Sequence, residues 1–409
     1  MNAFTQPNFE LMAPRELTGK MRRRSLLAGA IGAIALLIGV FVDPAQFFRS
    51  YLLGYVLWIG ITLGCLALLM LQHLSGGQWG FLIRRPCEAA TRNFLLMLVL
   101  FVPLFFGLGH LYHWSQASEL AHDLVLRNKL IWLRTPWFVA RVFIYFFIWI
   151  ALSVVLNRLS LAQDRAGEDA PERVSIRRTL QGISGPGLVL WALTVTFMSI
   201  DWVMSLDPHW ASTIYGLLFM AGQGLSALAL MIVVLLILRK YPPFAQIVAP
   251  VHFHDLGKLL LAFVMLWAYF AYSQFLIIWA GNLPEEIPWY LGRTHGGYRL
   301  VAFVIILFHF ALPFAMLLSR DLKRNGRKLA LVASLLIVMR WLDLFWLIAP
   351  NPLPGAAHGI GFSWMDIAAP LAIGGLWLAT FFWQLEAQPL VAVRDPLFSA
   401  LLAKEHVHD

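Results

Sequence analysis

Ten long apolar stretches follow one another along this chain, separated by shorter segments that carry most of its polar residues. Crossing a hydrocarbon layer of about 30 Å takes roughly 20 residues of α-helix, and a helix satisfies its own backbone N–H and C=O groups away from water. The stretches are Ser25 to Val42, Ser50 to Leu71, Asn93 to His113, Pro136 to Leu156, Gly185 to Leu206, Thr213 to Leu238, Gly257 to Gly281, Leu300 to Leu318, Leu329 to Ala349 and Ser363 to Leu385. The pattern predicts an all-α, polytopic membrane protein of about ten transmembrane helices.

The composition agrees with this prediction. Of the 409 residues, 60% are hydrophobic and only 13% are charged, whereas about a quarter of the residues of a soluble domain are charged. The sequence therefore predicts almost no soluble domain. We expect a cytoplasmic N-terminal tail over 1–24, a transmembrane domain over 25–385 and a cytoplasmic C-terminal tail over 386–409. The basic stretch Lys20 to Leu27 resembles an export signal, but further apolar stretches follow it, which favours a retained first helix.

The net charge of +9 comes from an uneven distribution of Lys and Arg. With the N-terminus inside, 23 of the 31 fall in inner segments and six in outer segments, and Arg141 and Arg340 lie within helices. Inner loops of membrane proteins carry such an excess. The charge is therefore explained by topology, both termini are predicted to be cytoplasmic, and a nucleic-acid partner is unnecessary. The polar segment Asn157 to Ser184 is predicted to be a solvated cytoplasmic linker.

An internal repeat relates the two halves of the chain. Small residues recur at the same spacing in predicted helices 2 and 6, as Gly54, Gly60 and Gly64 in the first and Gly216, Gly222 and Ser226 in the second. Asp201 precedes Pro208 by seven residues, and Asp343 precedes Pro350 by seven. We therefore expect two four-helix bundles, helices 2–5 (about 50–206) and helices 6–9 (about 213–349), flanked by helices 1 and 10.

Ionisable side chains within apolar spans are costly and often mark a path for protons, ions or ligands. The candidate proton path consists of Asp201, Asp343, Arg340, His254, Asp255 and His252. The second candidate is an outer polar or quinone-binding cluster of His110, His113 and Arg141. No catalytic residue is predicted.

Each candidate has a structural alternative. Arg340 and Asp343 are three residues apart and can form an ion pair, and the residues from His252 to Asp255 can cap a helix. Asp201 has no partner on its own helix, so its nearest candidate partners are Arg141 and His110, and we expect it to protonate more readily than Asp343. His110 and His113 can be interfacial, and His309 is more typical of a packed, hydrogen-bonded residue.

The sequence contains no pattern for a bound metal centre. Its two cysteines, Cys65 in a helix and Cys87 in a predicted loop, are not expected to form a disulfide, and they do not form a motif for c-type haem or an iron–sulfur cluster. Only His110 or His113 opposite His309 could ligate b-type haem, and their unequal depth argues against it. We expect no metal site and no cofactor of this chain's own, with quinone left open.

Several segments resemble the NrfD-like (polysulfide reductase type) membrane subunits of alternative complex III, the bacterial quinol:cytochrome c oxidoreductase. They are Ser199 to Trp210 (SIDWVMSLDPHW), Ser212 to Gly216 (STIYG), Phe253 to Lys258 (FHDLGK), Ser273 to Trp279 (SQFLIIW), Gly281 to Tyr290 (GNLPEEIPWY) and Arg340 to Trp346 (RWLDLFW). The resemblance runs from about residue 15 to residue 400. It is greatest to the smaller of that complex's two ten-helix subunits.

The resemblance implies a respiratory-chain subunit of the bacterial inner membrane, without its own redox centre. Its implied partners are the larger NrfD-like subunit, a periplasmic iron–sulfur subunit, haem c subunits, lipid and quinone. The implied complex oxidises quinol, and for this chain we prefer a role in proton translocation, because the better-established quinol pocket belongs to the larger subunit. The alternatives are an independent proton-coupled secondary transporter and a purely structural anchor.

The charge distribution yields a test of topology. Reporter fusions placed after Asp169 and after Asn351 should lie on opposite sides of the membrane, cytoplasmic and external respectively, because Lys and Arg concentrate in the inner segments. Two reporters that are each active in only one compartment, such as alkaline phosphatase and a fluorescent protein, measure the side of the membrane on which each fusion lies. Both fusions on the same side would contradict the predicted topology.

Overall fold

The computed structural model describes residues 11–116, 120, 123–166, 171–295, 297–353, 361–392 and 395. In these ranges nine helices are long and apolar enough to cross a membrane, and a bent pair of helices gives a tenth span. We number the spans α1 (Arg15–Val42), α2 (Pro44–Ser75), α3 (Phe81–Thr91 and Phe94–Phe106), α4 (Thr135–Arg165), α5 (Pro171–Trp202), α6 (Tyr215–Leu238), α7 (Pro250–Gly281), α8 (Tyr298–Leu318), α9 (Gly326–Ile348) and α10 (Met365–Glu386). The all-α, polytopic fold predicted from the sequence is confirmed.

Several helices extend beyond their apolar stretches. α1 begins ten residues before the predicted Ser25, and α4 and α5 extend into the segment predicted to be a solvated linker. The segment is thus largely helical: of its described residues only Ala166 is outside a helix, and 167–170 lie outside the described residues. Leu, Ala, Gln and Arg are good helix formers, so the helices continue past the apolar residues.

The third span is broken rather than continuous. Its two segments meet at Arg92 and Asn93 with a bend of 43°. The first segment, Phe81–Thr91, was expected to be a loop, yet it is a helix whose residues are all buried. It brings Cys87 against Cys65, and both are free thiols.

A buried network of charges explains how this segment can lie inside the protein. Glu88 accepts hydrogen bonds from Arg85 at 2.7 Å, from Ser160 of α4 at 2.6 Å and from Arg84 at 3.2 Å. Arg84 also pairs with Asp395, the last described residue, at 2.6 Å, and Arg85 pairs with Asp164. Since a buried charge is tolerated only when it is paired and hydrogen-bonded, these contacts fix α3 against α4 and the segment after α10.

The two predicted bundles are present. In the first, α2 contacts α3 and α5, and α4 contacts α3 and α5; in the second, α6 contacts α7 and α9, and α8 contacts both of these. The bundles meet where α2 packs on α6, the two most buried spans. A Cβ built on Gly64 would lie 2.1 Å from the carbonyl oxygen of Gln223. Glycine at 64 therefore allows the two backbones to touch, as small residues do at membrane helix contacts.

The flanking spans pack on each other. α1 contacts chiefly α10, which in turn packs on α2. A Cβ on Gly32 would lie 2.6 Å from the backbone nitrogen of Ala372, so this contact is also close. Thr18 of α1 donates to Glu386 of α10 at 3.1 Å, and beyond the helix ends Leu390 N donates to Leu11 O at 2.7 Å. The beginning and end of the described chain are thereby joined.

The contact between the bundles can be tested by a substitution that adds a single methyl group. Gly64→Ala is expected to lower the free energy of unfolding by about 1–3 kcal/mol, because the added carbon has no space. Gly185→Ala is the matched control: a Cβ at this position of α5 meets nothing within 4 Å, and alanine is a better helix former than glycine. Thermal unfolding of the purified variants in detergent measures both, and equal stability would contradict the α2–α6 contact.

Candidate functional site

Asp201 lies in the last turn of α5 and is fully buried. Four donors converge on its carboxylate. Arg141 of α4 donates from Nε to Oδ2 at 2.8 Å and from Nη2 to Oδ1 at 2.9 Å. The Tyr145 hydroxyl donates to Oδ2 at 2.7 Å, and the Trp132 indole N–H donates to Oδ1 at 2.8 Å. We call these four residues the Asp201 cluster.

The geometry of the Asp201 cluster identifies the partner of Asp201. Arg141 is one of the two partners expected from the sequence, and the bidentate contact confirms it. Bidentate contacts between a guanidinium and a carboxylate are among the stronger polar contacts in proteins. The partners of Asp201 come from outside its own helix, so local spacing in the sequence does not reveal them.

Asp343 is the corresponding carboxylate of the second bundle and is also buried. It forms the expected ion pair with Arg340 on α9 and accepts a hydrogen bond from the Trp267 indole of α7 at 3.1 Å. Arg340 lies against α6, where a Cβ on Gly222 would lie 2.3 Å from its guanidinium carbon. Glycine at 222 thus leaves the space that Arg340 occupies. The two carboxylates share a pattern of one arginine and one indole donor.

A third buried carboxylate lies at the start of α10. Asp366, in the first turn of α10, accepts hydrogen bonds from Ser50 at 2.6 Å and from the backbone N–H of Ser363 at 2.9 Å. The guanidinium of Arg49 lies 3.7 Å from it and donates to the Gly361 carbonyl at 3.0 Å. Arg49 was counted as an outer-loop charge because it precedes the apolar stretch of α2. Only the fold reveals that it is buried.

The three residues of the predicted outer polar cluster have different partners. His110 is exposed and its ring stacks on Phe48, with 5.3 Å between the ring centres. His113 Nε2 lies 3.2 Å from the Pro352 carbonyl oxygen, whereas Arg141 belongs to the Asp201 cluster. The contacts of His110 and His113 are those of residues at the ends of helices.

The residues at the start of α7 form a helix cap. The backbone N–H of Ala249 donates to His252 Nδ1 at 3.0 Å, which is one of the two roles considered for this segment. Asp255 pairs with Lys258 at 2.7 Å, and both are partly exposed. His254 is half-buried. These three residues lie at the opposite end of α7 from Gly281, on the side where α6 and α8 also end.

Arg293, between α7 and α8, caps the end of α9. It donates to the carbonyls of Leu347 at 2.9 Å and Trp346 at 3.2 Å, and it lies 3.4 Å from the ring centre of Trp289. Burial lowers the pKa of Arg293 to about 9. A cation at a helix C-terminus satisfies carbonyls that have no partner within the helix. The role of Arg293 is therefore to hold the end of α9 and its buried ion pair in position.

An apolar cavity of about 230 Å³ lies beside the Asp201 cluster. Trp132 lines it, and the same indole donates to Asp201. Trp210 and Met204 add apolar walls, and Lys129 and Asp207 add charged groups. Such a combination of apolar walls and few polar groups is typical of a small-molecule site, here one with space for a single ring.

Within the described residues, no group of three or more His, Cys, Asp or Glu side chains could hold a metal ion. What the buried clusters can do is hold charge and exchange protons.

No protein-family model matches the chain. The search of curated proteins likewise gives no match.

The Asp201 cluster can be tested by removing its charges singly and together. Arg141→Gln and Asp201→Asn should each lower the free energy of unfolding by about 3 kcal/mol, because each leaves the opposite charge buried without its partner. The double variant, in which glutamine can donate to asparagine, should lose less than the sum of the two. Thermal unfolding of the three proteins measures this coupling, and strictly additive losses would show that the ion pair contributes nothing.

Proposed function

We propose that this chain conducts protons as an integral membrane subunit of a respiratory quinol:electron-acceptor oxidoreductase of the bacterial inner membrane. The observation that carries the proposal is the pair of buried Arg–Asp clusters, at Asp201 and Asp343, in corresponding positions of the two bundles. Ionisable groups are rare within membrane spans and usually mark ion or proton paths. One buried ion pair could serve the structure alone. Two, in corresponding positions of the repeat, favour a shared function.

The redox chemistry belongs to partners in this proposal. A larger NrfD-like subunit, a periplasmic iron–sulfur subunit and haem c subunits would carry the electrons, in line with the sequence resemblance. This chain would supply the path for protons that quinol oxidation releases. The cavity beside Trp132 supports a contact with the quinol itself, because its volume of about 230 Å³ and its apolar walls suit one aromatic ring.

The shape of the spans argues against an independent secondary transporter. Such transporters typically have broken helices in corresponding positions of their two halves. Here the breaks are in α3 and in α8. The repeat equates α3 with α7, which is a single helix over Pro250–Gly281, and α8 with α4, which is a single helix over Thr135–Arg165. The breaks therefore do not correspond.

The proposal is tested by Asp201→Asn and Asp343→Asn in the complex purified through a tag on this chain. Haem c and iron–sulfur proteins should copurify. In proteoliposomes, each variant should lower proton-coupled quinol oxidation at least about tenfold, because a carboxylate that exchanges protons is lost. Asp321→Asn, at an exposed carboxylate, is the control and should leave proton-coupled quinol oxidation unchanged.

Proton release per electron and quinol oxidation are measured on the same vesicles. Normal coupling in both variants, at normal assembly, would refute the proton-path role. Purification of this chain as an active solute carrier without redox partners would refute the respiratory role.

A further inference from the structure

His309 is a buried histidine that none of the interactions above explains. It lies within a π-helical turn of α8, Ile306–Ala311, and none of its surface is exposed. Pro313 follows four residues later and has no N–H to donate to the His309 carbonyl, which favours the irregular turn. π-helical turns within α-helices often occur at functional sites. The local backbone is thus arranged around this residue.

Neither ring nitrogen of His309 has a hydrogen-bond partner among the described residues. The sequence suggests a packed, hydrogen-bonded histidine; the ring is packed, and its hydrogen-bond partners are not among the described residues. A neutral imidazole has one donor and one acceptor, and a protonated one has two donors. In either form the ring needs partners that the described residues do not provide, and buried polar groups are nearly always paired with protein or with ordered water.

The ring is directly connected to the Asp343 ion pair. It stacks on Trp267 of α7, with 4.1 Å between the ring centres and an angle of 9° between the planes. The same indole donates its N–H to Asp343. The π-helical turn packs on α7 and α9. Among the described residues, Arg340 of α9 is the charged group that interacts with the ring, and Asp343 is linked to it through the indole of Trp267.

We propose that His309 binds water inside the second bundle, and that this internal hydration site exchanges protons with the Arg340–Asp343 pair. Water is the occupant that fits, since it can both donate to and accept from the ring in either protonation state. The hydration site stands on the geometry alone. Its part in proton exchange rests on the proposed function.

Water access is tested by replacing His309 with cysteine in membranes that contain the assembled protein. A small charged methanethiosulfonate reagent reacts with the thiolate form of cysteine, and a thiol ionises only where water reaches it. His309→Cys should be labelled above the background set by the buried Cys65 and Cys87. Ile305→Cys, buried one turn earlier on the same helix, is the control and should stay unlabelled. Absence of labelling at 309, or equal labelling at 305, would overturn the hydration site.

Proton exchange is tested by His309→Phe and His309→Gln. Phenylalanine keeps the stacking on Trp267 but cannot bind water, so proton-coupled turnover should fall at least about tenfold at unchanged assembly. Glutamine keeps a donor and an acceptor and should retain more of the activity than phenylalanine. Normal coupling in His309→Phe would overturn the exchange role.

The two proposals fail separately. If Asp343→Asn abolishes coupling while His309→Phe does not, the proton path stands without His309. If His309→Cys is labelled while both aspartate variants couple normally, the hydration site stands and the proposed function is refuted.

Discussion

Charge that leaves water must be paired, and this requirement determines how the helices of this protein meet. Hydrocarbon offers no hydrogen bonds, so an arginine or aspartate inside a span must find its partner within the protein. Arg141 joins α4 to α5, and Arg49 joins α2 to α10. Arg84 joins α3 to the segment after α10. Apolar packing alone does not discriminate strongly between one helix face and another in lipid, whereas a buried charge accepts only the face that carries its partner.

The features that the sequence predicts are those set by local properties. The ten spans follow from the length of their apolar stretches, since any such stretch must become a helix in the bilayer. The Arg340–Asp343 pair follows from spacing, because residues three apart share a helix face. The repeat around Gly64 and Gly222 predicted close helix contacts. Both glycines indeed lie where a side chain would collide with a neighbour.

The features that the sequence did not predict, or left among alternatives, depend on contacts distant in the chain. Arg141 lies 60 residues from Asp201, and the sequence alone does not choose between Arg141 and His110 as its partner. Phe81–Thr91 carries three charged residues, which made it resemble a loop, and its helix is buried only because Asp164 and Asp395 come from elsewhere. A signal was present in Arg84, Arg85 and Glu88, whose three- and four-residue spacing suits ion pairs on a helix. For the irregular turn at His309, the only signal in the sequence was Pro313, four residues later.

The pairing of α1 with α10 has a consequence for biosynthesis. Of the ten described spans α1 is synthesised before the others, and its principal partner, α10, is synthesised after them. During translation the glycine-lined face of α1 is therefore exposed to lipid while the spans between them are inserted. Folding from the N-terminus onward, as is common for nascent chains, cannot complete this part of the structure. The contact between α1 and α10 can form only after α10 has been inserted.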